Sequence, residues 1–155
     1  MLSLEKYTLE HQPVVSYLVV YPQQRDYVYP IKDILAAPEN GCNHHIIKMG
    51  ASIIGFFSID TAYSTRYSFA SPAALGLRNF FLDCHYQGKG LGAMSLAELP
   101  SYLAAQYTAW QWIYLTVNCK NTCAYKLYQR AGFKDSGELY YGGSSGPQYI
   151  MCRSF

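Results

Sequence analysis

The sequence Gln-Gly-Lys-Gly-Leu-Gly at residues 87–92 follows an apolar run and opens a helical pattern near Leu91. Glycines let the backbone approach a ligand closely, because they carry no Cβ. The first N–H groups of a helix have no acceptor within the helix, and they carry a partial positive charge. This stretch therefore predicts a binding site for a phosphate-bearing cofactor.

Three kinds of phosphate-binding loop share this type of spacing. A P-loop needs Lys followed by Ser or Thr, whereas Gly90 follows Lys89. A dinucleotide fingerprint fits Gly88, Gly90 and Ala93, but it also needs an acidic residue after the next strand, about 20 residues on. That strand, residues 112–118, contains no carboxylate. The third kind is the pyrophosphate loop of an acyl-CoA-dependent transferase, which requires a second motif just after the same strand.

The second motif is present at residues 118–133. Together with Gln87, Gly90 and Gly92, it resembles the GNAT N-acetyltransferase superfamily. The two motifs of that family are Gln/Arg-x-x-Gly-x-Gly/Ala and Asn-x-x-Ala-x-x-Leu-Tyr-x-x-x-Gly-Phe. The chain matches every defined position of the second motif: Asn121, Ala124, Leu127, Tyr128, Gly132 and Phe133.

The resemblance implies a mixed α/β (α+β) fold, with a twisted mixed sheet of about six or seven strands flanked by about four helices. Two central strands, residues 77–84 and 112–117, would part at their carboxyl ends. Acetyl-CoA would bind in the gap as cosubstrate. The cofactor-binding residues that the resemblance implies are Leu82, Asp83, Cys84, Gln87, Gly88, Lys89, Gly90, Leu91, Gly92, Asn121 and Tyr128. Asn121 is equally suited to cap the helix that follows it.

The chemistry that the resemblance implies is direct acetyl transfer to an amine, with Tyr128 as the acid that protonates the departing thiolate. The same tyrosine also fits the apolar face of an amphipathic helix, where it would be a core residue. An amine with a lysine-like pKa is almost wholly protonated at pH 7, so a base is needed. Asp83 is the catalytic candidate for that role, with His85 and Glu138 as alternatives.

The acceptor side of the site is expected to include Arg78 and Asn79, which precede Phe80-Phe81 where polyamine-acetylating relatives carry Glu-Asp. Arg78 would repel a polycation, and it would clamp a carboxylate or phosphate of the acceptor if it faced the cleft. The alternative is a solvated arginine at a strand edge. The acceptor itself is expected to be a small-molecule or peptide amine, bound partly by loops at residues 61–72 and 142–147.

Composition narrows the classes of partner. A length of 155 residues predicts one domain over residues 1–155, which the resemblance implies is an N-acetyltransferase domain. The 16 tyrosines predict aromatic side chains in the core and in a pocket. The net charge is +2 with scattered basic residues, so nucleic acid is not expected. The apolar run at residues 14–21 is broken by Ser16 and closed by Pro22, which disfavours a membrane span or a signal peptide. The five cysteines favour reduced thiols and a cytoplasmic location, while a homodimer is left open.

No metal is expected, because Cys42, His44 and His45 have no second ligand cluster to complete four ligands. Two alternatives to the transferase remain: a non-catalytic CoA-binding sensor or interaction module, and a Rossmann-type redox protein. The predicted helices lie at residues 13–20, 26–37, 91–106 and 122–131, with a kink or break at Pro100. The predicted strands lie at residues 8–11, 45–49, 52–59, 77–84, 112–117, 133–141 and 149–153.

Overall fold

A single mixed sheet organises the chain, and the computed structural model describes residues 1–155. Its seven strands are β1 Leu2–Lys6, β2 Cys42–Met49, β3 Ser52–Asp60, β4 Leu75–Leu82, β5 Trp112–Asn118, β6 Lys134–Tyr140 and β7 Gln148–Ser154. Their order across the sheet is β1-β2-β3-β4-β5-β7-β6. The β4–β5 pairing is parallel and all the others are antiparallel.

Helices connect and cover these strands. They are α1 Gln12–Val15, α2 Ile31–Ala36, α3 Tyr63–Arg66, α4 Leu91–Gln106 and α5 Thr122–Arg130, with short 3₁₀ turns at Leu9–His11, Pro22–Gln24 and Cys84–Tyr86. The expectation of a mixed α/β fold with a mixed sheet is confirmed. No helix of the chain combines the length and the apolar character that crossing a bilayer requires.

The sheet is buried on both faces, because successive strand side chains point to opposite sides. Phe57 of β3 and Leu115 of β5 belong to the main core, which α4 and α5 complete. Phe56 and Phe81 belong to a second core beneath α1 and α2. The two helical layers therefore lie on opposite faces of the sheet.

The long helices are predicted well, while the N-terminal region is not. The helices at residues 91–106 and 122–131 and the 45–59 hairpin match the structure within a few residues. The predicted helix at 26–37 is helical only over Ile31–Ala36, with Pro30 at its N-cap. A proline disfavours the helical conformation of the residue before it, so the helix does not extend to residues before Pro30.

Three smaller expectations also fail in the N-terminal half and the loops. Residues 8–11 form a 3₁₀ turn instead of a strand, because the ring Nδ1 of His11 accepts a hydrogen bond from the Thr8 N–H at 3.0 Å. The helix predicted over 13–20 ends at Val15. The segment 61–72, expected as a loop, contains α3.

Of the kink or break expected at Pro100, the break does not occur, since α4 continues through it from Leu91 to Gln106. A proline inside a helix costs about 3 kcal/mol locally. Leu96, Leu99 and Leu103 lie on the turns around it, and all three are buried in the main core. Each buried leucine contributes about 1.5–3 kcal/mol, so the packing of the helix outweighs the lost hydrogen bond.

His45 joins β2 to the C-terminal part of α4. Its ring is fully buried and stacks on Phe57 at a centroid distance of 4.9 Å. Nδ1 lies 2.7 Å from the hydroxyl of Tyr102, and Nε2 lies 2.9 Å from that of Tyr107. Burial lowers the pKa of His45 to about 3, so the imidazole is neutral at physiological pH.

Candidate active site

The parallel pair β4 and β5 separates shortly after it begins. Only Leu75–Ile113 and Gly76–Tyr114 are paired, although each strand continues for several more residues. The expected parting of the two central strands is therefore confirmed. Beyond Tyr114, β5 stays paired with β7 on its other edge, while β4 stays paired with β3. The main-chain groups that β4 and β5 turn towards each other are left without a strand partner.

A cleft of about 640 Å³ occupies this gap and reaches both faces of the sheet. Its walls include residues 77–80 of β4 and 115–118 of β5. Asn121, Ala124 and Tyr128 line it on the side of α5, and Tyr63 and Tyr67 line it on the side of α3. A volume of this size is typical of a small-molecule site.

The glycine loop lies between the end of β4 and the start of α4. Gly88 and Gly90 have φ angles of 75° and 78°, a left-handed conformation that favours glycine. The first helical hydrogen bond runs from Met94 N–H to Gly90 O, at 3.2 Å. The six N–H groups of residues 88–93 donate to no acceptor in the protein. They form the array of free donors that an anion-binding loop requires.

Neighbouring residues hold this loop in place. A Cβ on Gly92 would lie 3.3 Å from Leu127 of α5, so this glycine allows α4 to start close to α5. The side chain of Gln87 donates to the Leu82 carbonyl at 2.8 Å, which ties the loop to the last residue of β4. Lys89 lies over the ring of Tyr86, with Nζ 5.8 Å from its centroid.

Asp83 holds the backbone after β4 and does not line the cleft. Its Oδ2 accepts from Val19 N–H at 3.0 Å, and its Oδ1 accepts from His85 N–H at 3.0 Å and lies 2.7 Å from His85 Nδ1. Burial raises the pKa of Asp83, but these hydrogen bonds outweigh it and lower the pKa below its ordinary value. Its position outside the cleft and its lowered pKa both disfavour Asp83 as a base. His85 and Glu138 are also absent from the cleft walls.

The side chains considered as metal ligands have other partners. His44 Nδ1 lies 2.8 Å from Ser58 Oγ, and His45 is held between two tyrosines. Ligand atoms of Asp83, Cys84 and His85 lie within 4.8 Å of one another, but the Asp83 oxygens already accept the bonds described above. The sequence did not indicate this second group, because residues 77–84 were expected to be a strand, whereas Cys84–Tyr86 forms a 3₁₀ turn.

Tyr128 lies on the buried face of α5, between Phe80 of β4 and Phe133, at ring-centroid distances of 6.1 and 5.7 Å. Its hydroxyl has no hydrogen-bond partner in the protein. Every fully buried side-chain oxygen does have a partner, so the Tyr128 hydroxyl is not fully buried and reaches the cleft that Tyr128 lines. Burial raises the pKa of Tyr128, and the hydroxyl therefore keeps its proton at neutral pH. Asn121 caps α5, accepting from Ala124 N–H at 3.4 Å, and also lines the cleft.

Arg78 lines the cleft, but carboxylates of the protein already hold its guanidinium. It forms a bidentate pair with Glu39 at 2.6 and 3.1 Å, and Nη1 lies 3.4 Å from the fully buried Asp60. Arg66 bonds the same Asp60 oxygen at 2.9 Å. Two arginines thus face two carboxylates, and the cluster carries no net charge. The structure gives Arg78 an internal ion pair in place of the solvated or acceptor-binding positions expected from sequence.

Asn79 lies in a bulge where β4 slips against β3, with φ at 58°. Its amide nitrogen donates to Ser58 Oγ at 3.2 Å, and Ser58 Oγ in turn lies 2.8 Å from Nδ1 of His44. Burial lowers the pKa of His44. Since the nitrogen of the Asn79 amide is engaged, its oxygen is the atom left to accept a hydrogen bond from a ligand in the cleft.

Tyrosines that the sequence did not single out form the wall opposite α5. A Cβ on Gly76 would overlap the ring of Tyr63, and a Cβ on Gly142 would overlap the side chain of Tyr140, so each glycine makes room for one tyrosine. Tyr67 lies between them, 4.5 Å from Tyr63 and 5.4 Å from Tyr140 between ring centroids. The abundance of tyrosine was the one sequence signal for this wall. The loops at 61–72 and 142–147 both contribute to it, as expected.

Asp26 is the one carboxylate among the cleft-lining residues. The sequence placed it at the start of a helix, but it lies in a turn before α2. The carbonyl of Asp26 accepts from Ser145 Oγ at 2.9 Å, and the Ser145 carbonyl accepts from Asn118 at 2.8 Å. These bonds close the cleft between the α2 side and the β6–β7 loop.

The sequence model of the Acetyltransferase (GNAT) family matches residues 6–133. Because this match covers most of the chain, the chain belongs to the GNAT acetyltransferase family. The parting of β4 and β5 and the glycine loop that follows β4 agree with this assignment. The resemblance inferred from the two motifs is therefore confirmed.

Individual relatives agree with this assignment. A probable spermine N(1)-acetyltransferase of Bacillus subtilis subsp. natto is 48% identical over 67 residues, which cover 43% of each protein. The chain thus matches less than half of that relative's length. The N-alpha-acetyltransferase RimI of Mycobacterium tuberculosis is 29% identical over 77% of this chain and 69% of its own. The aminoglycoside acetyltransferase AAC(6')-Ib, solved with coenzyme A, has a TM-score of 0.78 at 17% identity, covering 99% of this chain and 95% of that one.

Proposed function

We propose that this protein is an acetyl-CoA-dependent N-acetyltransferase that acetylates a primary amine of a small molecule or peptide. The observation that carries the proposal is the run of free N–H groups at residues 88–93, in the loop that follows β4, the strand that parts from β5 to form the cleft. Relatives named as spermine and aminoglycoside acetyltransferases support it. Acetyl-CoA would supply the acetyl group as a thioester.

Different residues along the cleft would bind the cofactor, donate the proton and orient the amine. The N–H groups of the glycine loop, between Gln87 and Gly92, would bind the diphosphate, and the unpaired edge of β4 up to Leu82 would bind the pantetheine arm. Tyr128 holds a proton at a hydroxyl that reaches the cleft, where it can protonate a leaving thiolate. The amide oxygen of Asn79 can orient the amine. Asp83 and Cys84 would hold the backbone after β4 in position.

The base is better sought at Asp26 than at Asp83, since Asp26 is the carboxylate that lines the cleft. The remaining expectations stay predictions: a single domain, a cytoplasmic location supported by five free cysteines, and no nucleic acid or membrane partner. A non-catalytic CoA-binding sensor is the alternative function. It would use the same free N–H groups but would not need a protonated tyrosine in the cleft.

The deciding experiment combines binding with turnover. Acetyl-CoA at about a hundred times its Kd should stabilise the protein by about 2.7 kcal/mol, whereas NAD and NADP should not. Thiol release should then be measured over amines, amino acids, aminoglycosides and peptides. Turnover with any amine supports the transferase, and a thermal shift without turnover supports the sensor. The absence of a shift with acetyl-CoA would refute both.

A further inference from the structure

The acceptor end of the cleft has a composition that restricts its ligand. Its wall contains the aromatic rings of Tyr27, Tyr63, Tyr67 and Tyr140, but only one carboxylate, that of Asp26. We infer that the acceptor is a monoamine with a flat, uncharged body, and that polyamines and aminoglycosides are poor acceptors. This inference rests on the proposed transferase function and defines its substrate class.

Neighbouring residues hold the tyrosine wall in a fixed position. Tyr63 and Tyr140 occupy space that Gly76 and Gly142 leave open, and ring contacts at 4.5 and 5.4 Å link both of them to Tyr67. Phe69 packs against all three rings from behind, with centroid distances of 5.2 to 5.9 Å. Tyr63 is only 2% exposed and supports the wall from behind, so the preformed apolar surface open to a flat ligand is that of the half-buried rings of Tyr67 and Tyr140. Aromatic pairs favour offset and edge-to-face contacts.

The cleft offers few free charges to an acceptor. Arg25, Asp26 and Arg78 are the charged residues among those that line the cleft, and because Arg78 is neutralised by its ion pairs, the charges left over are those of Arg25 and Asp26, which cancel. Glu39 and Asp60 hold Arg78, and their carboxylates are thereby unavailable to an acceptor. Arg25 takes part in none of the ion pairs of the protein. The cleft therefore offers at most one carboxylate to an ammonium group.

A polycation needs more counter-charges than this cleft offers. Spermine and aminoglycosides carry several ammonium groups at neutral pH, and each one that enters a cleft without a counter-charge loses hydration without compensation. Cation–π contacts with tyrosine offset this cost only in part. A monoamine brings a single ammonium, which Asp26 and the Asn79 amide can accommodate. Its uncharged body can pack against the rings.

The inference predicts a clear order of acceptors in a thiol-release assay on the full chain at fixed acetyl-CoA. Phenethylamine and tyramine should exceed spermine and kanamycin in kcat/KM by about tenfold or more. A kcat/KM for spermine or kanamycin equal to or above that of the aromatic amines would overturn the inference while leaving the transferase intact. If acetyl-CoA binds but no amine is acetylated, the proposed function fails and the inference fails with it.

Two variants test the wall and the charge separately. Tyr140→Leu should lower kcat/KM for phenethylamine about tenfold and leave the Kd of acetyl-CoA unchanged, whereas Tyr141→Leu, at a neighbouring side chain that is 74% exposed, should have no effect. Arg25→Glu changes the combined charge of residues 25 and 26 from 0 to −2 and should raise kcat/KM for spermine relative to phenethylamine. Equal effects of the two leucine variants, or no gain for spermine, would contradict the inference.

Discussion

At the scale of single residues, the site depends on which polar atoms remain free. The hydroxyl of Tyr128 is free and reaches the cleft, whereas the carboxylate of Asp83 and the guanidinium of Arg78 have protein partners. The motif spacing predicted where Tyr128 would lie. It could not predict the partners of Arg78, because Glu39 and Asp60 are distant in sequence and reach it only through the folded sheet.

Tyr128→Phe removes the hydroxyl and keeps the ring. We expect kcat to fall by about 100-fold or more, because general acid catalysis typically contributes that much, while the Kd of acetyl-CoA stays unchanged. Rates from thiol release and affinities from calorimetry measure the two effects.

The matched control is Tyr125→Phe, on the same helix. The hydroxyl of Tyr125 donates to Asp135 at 3.0 Å and lies outside the cleft, so kcat should be retained. A Tyr128→Phe enzyme with wild-type kcat would remove Tyr128 from the role of acid.

At the scale of elements, the glycine loop illustrates how backbone conformation serves binding. Gly90 has a φ of 78°, and a Cβ added there would meet no atom within 4 Å. The requirement for glycine is therefore conformational. An L-residue in this conformation costs about 1–2 kcal/mol.

Gly90→Ala should weaken acetyl-CoA binding about tenfold, because the strain shifts the loop away from the geometry that presents its N–H groups. Gly137→Ala in β6 is the control, since Gly137 has a φ of 84°, no neighbour within 4 Å and no part in the cleft. Both variants should lose similar stability in urea unfolding. Equal acetyl-CoA affinities in the two variants would contradict a role for the loop in binding.

Elements with strong periodicity and clear ends were predictable from the sequence, and short ones were not. α5 has a clear apolar face, whereas α4 is apolar around most of its circumference and begins directly after Gly90, so apolar pattern in one case and a clear start in the other predicted their bounds. The N-terminal segments have only three to six residues in each helix or turn. Helices so short are not stable in isolation, and their conformation depends on packing against Phe56 and Phe81, which local sequence does not reveal.

At the scale of the whole molecule, one buried histidine links stability to pH. His45 is neutral in the folded protein with a pKa of about 3, whereas a histidine in an unfolded chain titrates near 6.5. Between these values the unfolded state binds a proton that the folded state does not. Stability is therefore lost as the pH falls through this window, by about 1.4 kcal/mol per pH unit from this residue.

His45→Gln should reduce that slope. Urea unfolding between about pH 4 and 6 should show a dependence about 1.4 kcal/mol per unit shallower than in the wild type, whatever the absolute loss of stability. The carboxylates and His44 titrate in both proteins, so subtraction of the slopes isolates His45. Identical slopes would mean that His45 is protonated in the folded protein.

The parting of β4 and β5 bears on how this site can change over evolutionary time. Binding through main-chain hydrogen bonds tolerates replacement of almost any side chain along the two strands, because every residue except proline keeps both its N–H and its C=O. Substitutions can therefore change the side chains of the acceptor wall while the main-chain groups proposed to bind the cofactor are retained. One scaffold can pass from one amine to another without first losing its acyl donor.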